Sequence, residues 1–217
     1  MGFGIALFGY ACLLMIGIGG ELFAALLLAY GFFLASRLDK DFLHAAISAL
    51  FILPSGILNI CEIVGIIDST TSRIYPYLNA ITFFLFLGAW LMMTFYWLSA
   101  VIRIAKEGSA PKLERQARYR LVATAVYILL VVAVYALKSM NLLGAVAGSA
   151  EQLIFILQYV VIFYNLFFLH TCFILITSEK QYEKDKQAIA REQAEALEKM
   201  HKERQETMEK LKKHNKK

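Results

Sequence analysis

The sequence predicts an all-α integral membrane protein with about five transmembrane helices, the last continuous with a long charged cytosolic helix. Three observations carry this. The 217 residues are 59% hydrophobic and only 18% charged, too apolar for an ordinary soluble domain. The charges cluster: of 22 Lys/Arg and 17 Asp/Glu, twelve and nine fall in residues 178–217. And residues 149–217 hold no glycine and no proline, so nothing stops a helix passing from apolar chain into charged chain.

These observations divide the chain into a polytopic transmembrane domain, 1–177, and a cytosolic charged helix, 178–217. The first span is expected at about 5–35. Splitting it at Gly19-Gly20 would leave two pieces shorter than the ~20 residues a crossing needs, so one long tilted helix is favoured, with six spans and both ends inside as the alternative. Gly17, Gly20, Ala24 and Gly31 offer it small patches for a neighbouring helix. The N-terminus lacks the basic region of a signal peptide and reads as a retained first span.

The second span, 42–67, is interrupted by Pro54-Ser55-Gly56. Proline removes a backbone donor and clashes one turn back, which predicts a kink near Ile52 and Leu53. The third, 77–104, starts behind Pro76, with Trp97, Tyr75 and Tyr77 suited to the two headgroup belts. Gly108 to Pro111 is a turn, and Pro111 suits the start of a short basic helix. Spans at 121–143 and 151–177 follow, joined by a glycine-containing turn.

Basic residues set the orientation. The segments 36–41, 68–74, 103–120 and 138–150 carry two, one, six and one Lys/Arg, and the tail twelve. The richer segments alternate, so the positive-inside rule puts 36–41, 103–120 and the tail in the cytoplasm. The expected location is the cell membrane, N-terminus outside and C-terminus inside.

The tail has a pattern. Ile189, Leu197, Met200, Met208 and Leu211 recur at spacings of 8, 3, 8 and 3, an 11-residue repeat that collects them on one helix face and favours nearly straight or slightly right-handed packing. Glu195/Lys199, Glu198/Lys202, Glu206/Lys210 and Glu209/Lys213 are Glu-before-Lys pairs one turn apart. A self-supporting solvated helix fits this. So does a coiled-coil seam joining copies of the chain or docking a membrane-complex partner.

Ionisable groups inside spans are costly and mark candidate sites. Counted up from the cytoplasmic ends, Glu21, Asn59, Glu62, Lys138 and Gln158 fall in one outward-side layer, a candidate site for a small solute or ion. Asn59 and Glu62 share a helix face just beyond the Pro-Ser-Gly break, the kind of discontinuity on which transporters build sites. Glu21 reads either as a cation or proton site, as half of an ion pair with Lys138, or as a structural carboxyl. Asn165 and His170 read as interhelical hydrogen-bonding groups.

The partner implied throughout is the lipid bilayer. The net charge of +5 reflects loops and tail; it lacks the aromatic-interleaved basic patch of a single-strand binder, so no nucleic acid is expected. Cys12, Cys61 and Cys172 sit in apolar runs without metal spacing, and no metal or other cofactor is called for. No catalytic motif occurs and no catalytic residue is assigned. The function that follows is a non-enzymatic assembly or signalling scaffold working through the C-terminal helix. A channel or transporter using Glu21, Asn59 and Glu62 is the alternative, and a membrane sensor module without its output domain a further one.

Overall fold

The computed structural model describes residues 2–67, 72–140, 142 and 144–176. Residues 178–217, with Ile189, Leu197, Met200, Met208 and Leu211, lie outside the described residues. By contacts the chain divides into Met1–Phe173 and Ile174–Lys217; the architecture below is that of the first unit.

Among the described residues the fold is all helical. Its helices are α1 (Gly2–Cys12), α2 (Gly20–Ala35), α3 (Asp41–Leu50), α4 (Leu53–Ile63), α5 (Tyr75–Glu107), α6 (Pro111–Ser139) and α7 (Ala147–Ile176). Short 3-10 turns at Leu13–Met15 and Gly144–Val146 follow α1 and precede α7. Four helical stretches are long and apolar enough to cross a membrane: Asp41–Ile63, which joins α3 and α4, and then α5, α6 and α7. Phe8, Phe33, Ile57, Phe95, Leu129 and Phe167 are all exposed, an apolar exterior of the kind that lipid covers.

The single first helix expected at 5–35 is not formed. The chain turns at Gly17 and Gly19, whose φ angles of +85° and +86° are strained for any residue with a Cβ. α2 then packs back along α1. A Cβ on Gly31 would stand 2.5 Å from the Ala6 nitrogen, and one on Gly9 2.7 Å from the Leu28 nitrogen. The small residues therefore serve the chain's own hairpin. Gly2 lies against Gly31 and Ala35, so the described N-terminal end sits beside the 36–41 segment instead of across the bundle from it.

The Pro54 break falls as the sequence predicts, with Phe51 and Ile52 between α3 and α4. Pro111 begins a helix too, but the basic segment and the fourth span are one continuous α6, ending at Ser139 rather than 143. Trp97 is a correction. It is fully buried, its ring 6.2 Å from Phe32, 6.5 Å from Tyr10 and 5.9 Å from Phe168. α5 runs 33 residues, about 50 Å, and its length carries Trp97 into the aromatic core instead of a headgroup belt.

Of the three segments assigned to the cytoplasm, the two that are described, 36–41 and 103–120, meet at one end of the bundle. Arg103 donates to Asp39 through Nε at 2.8 Å and Nη2 at 2.6 Å, and Nη2 lies 2.5 Å from Asp41. The Arg103 guanidinium holds the Asp39 carboxyl below its usual range.

Candidate functional site

The five residues expected in one polar layer belong to separate clusters. In the first, Glu21 occupies the first turn of α2 and is buried at 1% exposure. Its Oε1 accepts from the Gly17 backbone N–H at 2.8 Å and from Asn59 Nδ2 at 2.7 Å. A turn on an apolar surface needs its N–H groups satisfied within the chain when lipid covers it, and Glu21 does this for Gly17, which is itself exposed. The helix N-terminus also favours negative charge there. Glu21 Oε2 is buried with no hydrogen-bond partner.

α4 reaches Glu21 because of the break before it. A Cβ on Gly56 would collide with the Leu22 nitrogen and approach the Glu21 carbonyl carbon. The Pro-Ser-Gly segment thus allows close helix contact and sets Asn59, one turn further on, against Glu21. Glu62, another turn along α4, accepts from the Tyr75 hydroxyl. Asn59 and Glu62 share a face but bind different elements.

Lys138 is not the partner of Glu21. At the end of α6 it pairs with Glu151 in the first turns of α7, each side chain about half exposed. This pair rims a cleft of about 200 Å³ lined by Phe83 of α5, Val131, Val134 and Tyr135 of α6, and Ile154, Phe155 and Gln158 of α7. Gln158 therefore belongs with Lys138, far along the chain from Asn59. Glu151 had no place among the sequence candidates; its one available signal was a carboxylate at the start of a span, facing a lysine across a short turn.

The centre of the bundle holds a third group. Trp90 Nε1 donates to the Tyr10 hydroxyl at 3.0 Å, and Asn165 Nδ2 donates to Thr124 Oγ1 at 3.0 Å, all four residues buried. These bonds tie α1 to α5 and α6 to α7. His170, by contrast, is exposed. Arg120, read from sequence as a loop charge, lies inside α6: its guanidinium stacks 4.1 Å from the Tyr164 ring centre and 4.4 Å from that of Phe168, and Nε donates to the Tyr164 carbonyl at 3.2 Å. Of the cysteines, Cys172 is buried while Cys12 and Cys61 are partly exposed. Among the described residues no group of three or more His, Cys, Asp or Glu could hold a metal ion.

No protein-family model, curated protein or solved structure matches the chain. What the described residues define is a class. Among the described residues the chain is all helical, with four helices long and apolar enough to cross a membrane, compatible with a multi-pass membrane protein.

Proposed function

We propose that the chain is a non-enzymatic, multi-pass cell-membrane protein that serves as an assembly or signalling scaffold, its membrane body presenting 178–217 to a second copy or to a cytosolic partner. The observation that carries this reading is the uninterrupted run of α7 to Ile176, directly before a segment with neither glycine nor proline. The use of interior polar groups agrees with it: Tyr10–Trp90, Asn165–Thr124 and Glu21–Asn59 each join two helices, as a fixed platform requires. In this reading the end that carries Arg103, Asp39 and Arg37 is cytoplasmic. The hairpin then brings the N-terminal end to that same side, with α1 and α2, at 11 and 16 residues, too short to cross fully.

Size measurement of the detergent-solubilised full chain against a chain ending at Lys180 tests the proposal. A larger assembly or a recovered partner that depends on 181–217 is expected. Identical size and identical partner recovery would overturn it.

One observation favours a second reading, transport of a small cation or solute through the Glu21–Asn59 site: Glu21 keeps a buried oxygen without a hydrogen-bond partner. Proteoliposomes loaded with a proton- or potassium-sensitive dye decide it. Flux that falls in Glu21→Gln supports transport, and no flux in the wild type removes it.

A further inference from the structure

Among the described residues, the cleft between α6 and α7 sets two opposite charges, Lys138 and Glu151, into a recess lined mostly by apolar side chains. Lys138 and Glu151 form the rim, with Phe83, Val131, Val134 and Phe155 behind them. It lies at the end of the bundle remote from Arg103, since α6 runs 29 residues, about 43 Å, from Pro111 to Ser139. Phe155 also lines a shallow groove down the outer face of α7 with Tyr159, Phe163 and Phe167. Phe155 lines both, so cleft and groove adjoin at that side chain, the charged pair on the cleft side and the aromatic rings on the groove side.

We propose that the cleft and the adjoining groove bind one phospholipid with an ethanolamine headgroup, the phosphate at Lys138, the ammonium at Glu151, and an acyl chain passing Phe155 onto the face of α7. Charge complementarity selects the headgroup. The rim pair is neutral as a unit, so a purely anionic lipid gains Lys138 but meets Glu151, whereas a zwitterion satisfies both when laid antiparallel to the pair. A primary ammonium carries three donors, enough to serve the Glu151 carboxylate and the amide oxygen of Gln158, which lines the same cleft. A choline headgroup has no N–H to give. The apolar side chains of the recess supply van der Waals contact for the acyl chain, which arrives from the bilayer already out of water. This proposal is independent of the scaffold reading and survives its failure.

The test uses the full chain reconstituted into vesicles of equal parts phosphatidylethanolamine, phosphatidylcholine and phosphatidylglycerol. After extraction into mild detergent, the retained lipid is identified by native mass spectrometry. One phosphatidylethanolamine per chain is expected. Retention should drop about tenfold in Glu151→Gln, which removes one charge-assisted hydrogen bond, and at least as far in Val134→Phe, which fills the cleft. Both rim residues are half exposed, so Glu151→Gln leaves the fold intact even if Val134→Phe does not. Three results would each overturn the proposal. These are retention of phosphatidylglycerol that depends on Lys138 alone, equal retention of phosphatidylcholine, or lipid retention unchanged in both variants.

Discussion

Two glutamates at the starts of two helices, Glu21 in α2 and Glu151 in α7, were given opposite surroundings by the same kind of chain. Glu21 is buried and bonds the backbone of its own turn and an amide from α4. Glu151 is about half exposed and faces a single lysine across an open cleft. The difference comes from the residues around them. The α1–α2 hairpin is lined by glycines that let backbones touch, and Gly56 brings α4 against α2, so the Glu21 side chain is enclosed although Gly17 and Ile18 at the turn are exposed. At the α6–α7 end a cleft remains between the helices, lined by bulky side chains that include Tyr135 and Phe155 and by no glycine. A carboxylate at a helix start is thus structural where glycine brings helices together, and accessible where the helices leave a cleft beside it.

The hardest test of this contrast is a side chain placed in the hairpin. Gly31→Leu puts a Cβ 2.5 Å from the Ala6 nitrogen, a backbone atom that cannot swing aside. A loss of about 3 kcal/mol or more is expected, read as failure to recover folded protein in detergent. Gly88→Ala in α5, where a Cβ meets nothing within 4 Å, should instead gain about 0.5 kcal/mol of helix stability. Equal behaviour of the two variants in thermal unfolding would dissolve the contrast.

Next in size is the Glu21 carboxyl itself. Glu21→Ala leaves the Gly17 N–H and the part-buried Asn59 amide without their acceptor, a cost of roughly 1–2 kcal/mol. Glu21→Gln retains an oxygen at the Oε1 position and should cost distinctly less. If thermal unfolding ranks Gln and Ala together, the carboxyl is not holding the turn.

Much of this was legible in sequence, and the omissions share a cause. The helices, the Pro54 interruption and the Pro111 helix start follow from local backbone chemistry, which acts within a turn and needs no knowledge of neighbours. The turn at Gly17–Gly19 was ranked behind one long helix because span length was reckoned against a full membrane crossing, a standard that a hairpin of two short helices does not obey. Trp97 and Arg120 were misplaced for another reason. Depth counted along one helix says nothing about which helix lies alongside, and Phe32, Tyr164 and Phe168 come from distant parts of the chain. For the site, Glu21 and Asn59 were both named and do meet. Lys138 was given the wrong carboxylate, since Glu151 lies in a span start where a polar residue draws no notice.

Between these extremes lies the cluster at the other end of the bundle, where Arg103 joins Asp39 and Asp41. Arg103→Gln should cost about 1 kcal/mol near neutral pH, since the pair is bidentate but partly exposed. It should also change the acid limb. Asp39 is held below its ordinary value of 3.8 chiefly by hydrogen bonding to Arg103, so its contribution is complete above 3.8 and disappears as pH falls through the lower folded-state value. Stability of the wild type should therefore drop more steeply than that of Arg103→Gln below pH 3.8. Parallel acid limbs in detergent unfolding would show that the contact does not persist in solution.

The smallest effect belongs to the open carboxylate, and its smallness is the point. Glu151→Gln breaks an ion pair whose two side chains are 53% and 50% exposed, so water already competes for both charges and the pair contributes roughly 0–1 kcal/mol. Lys138→Gln should behave alike, because neither residue leaves a buried group unsatisfied. Thermal unfolding of both beside Glu21→Ala gives the comparison directly, with a smaller shift at the rim than at the hairpin tip. A loss at Glu151 as large as that at Glu21 would mean the cleft is closed by this pair in the folded protein. It would then be a second structural clasp, and the distinction drawn between enclosed and open carboxylates would fall.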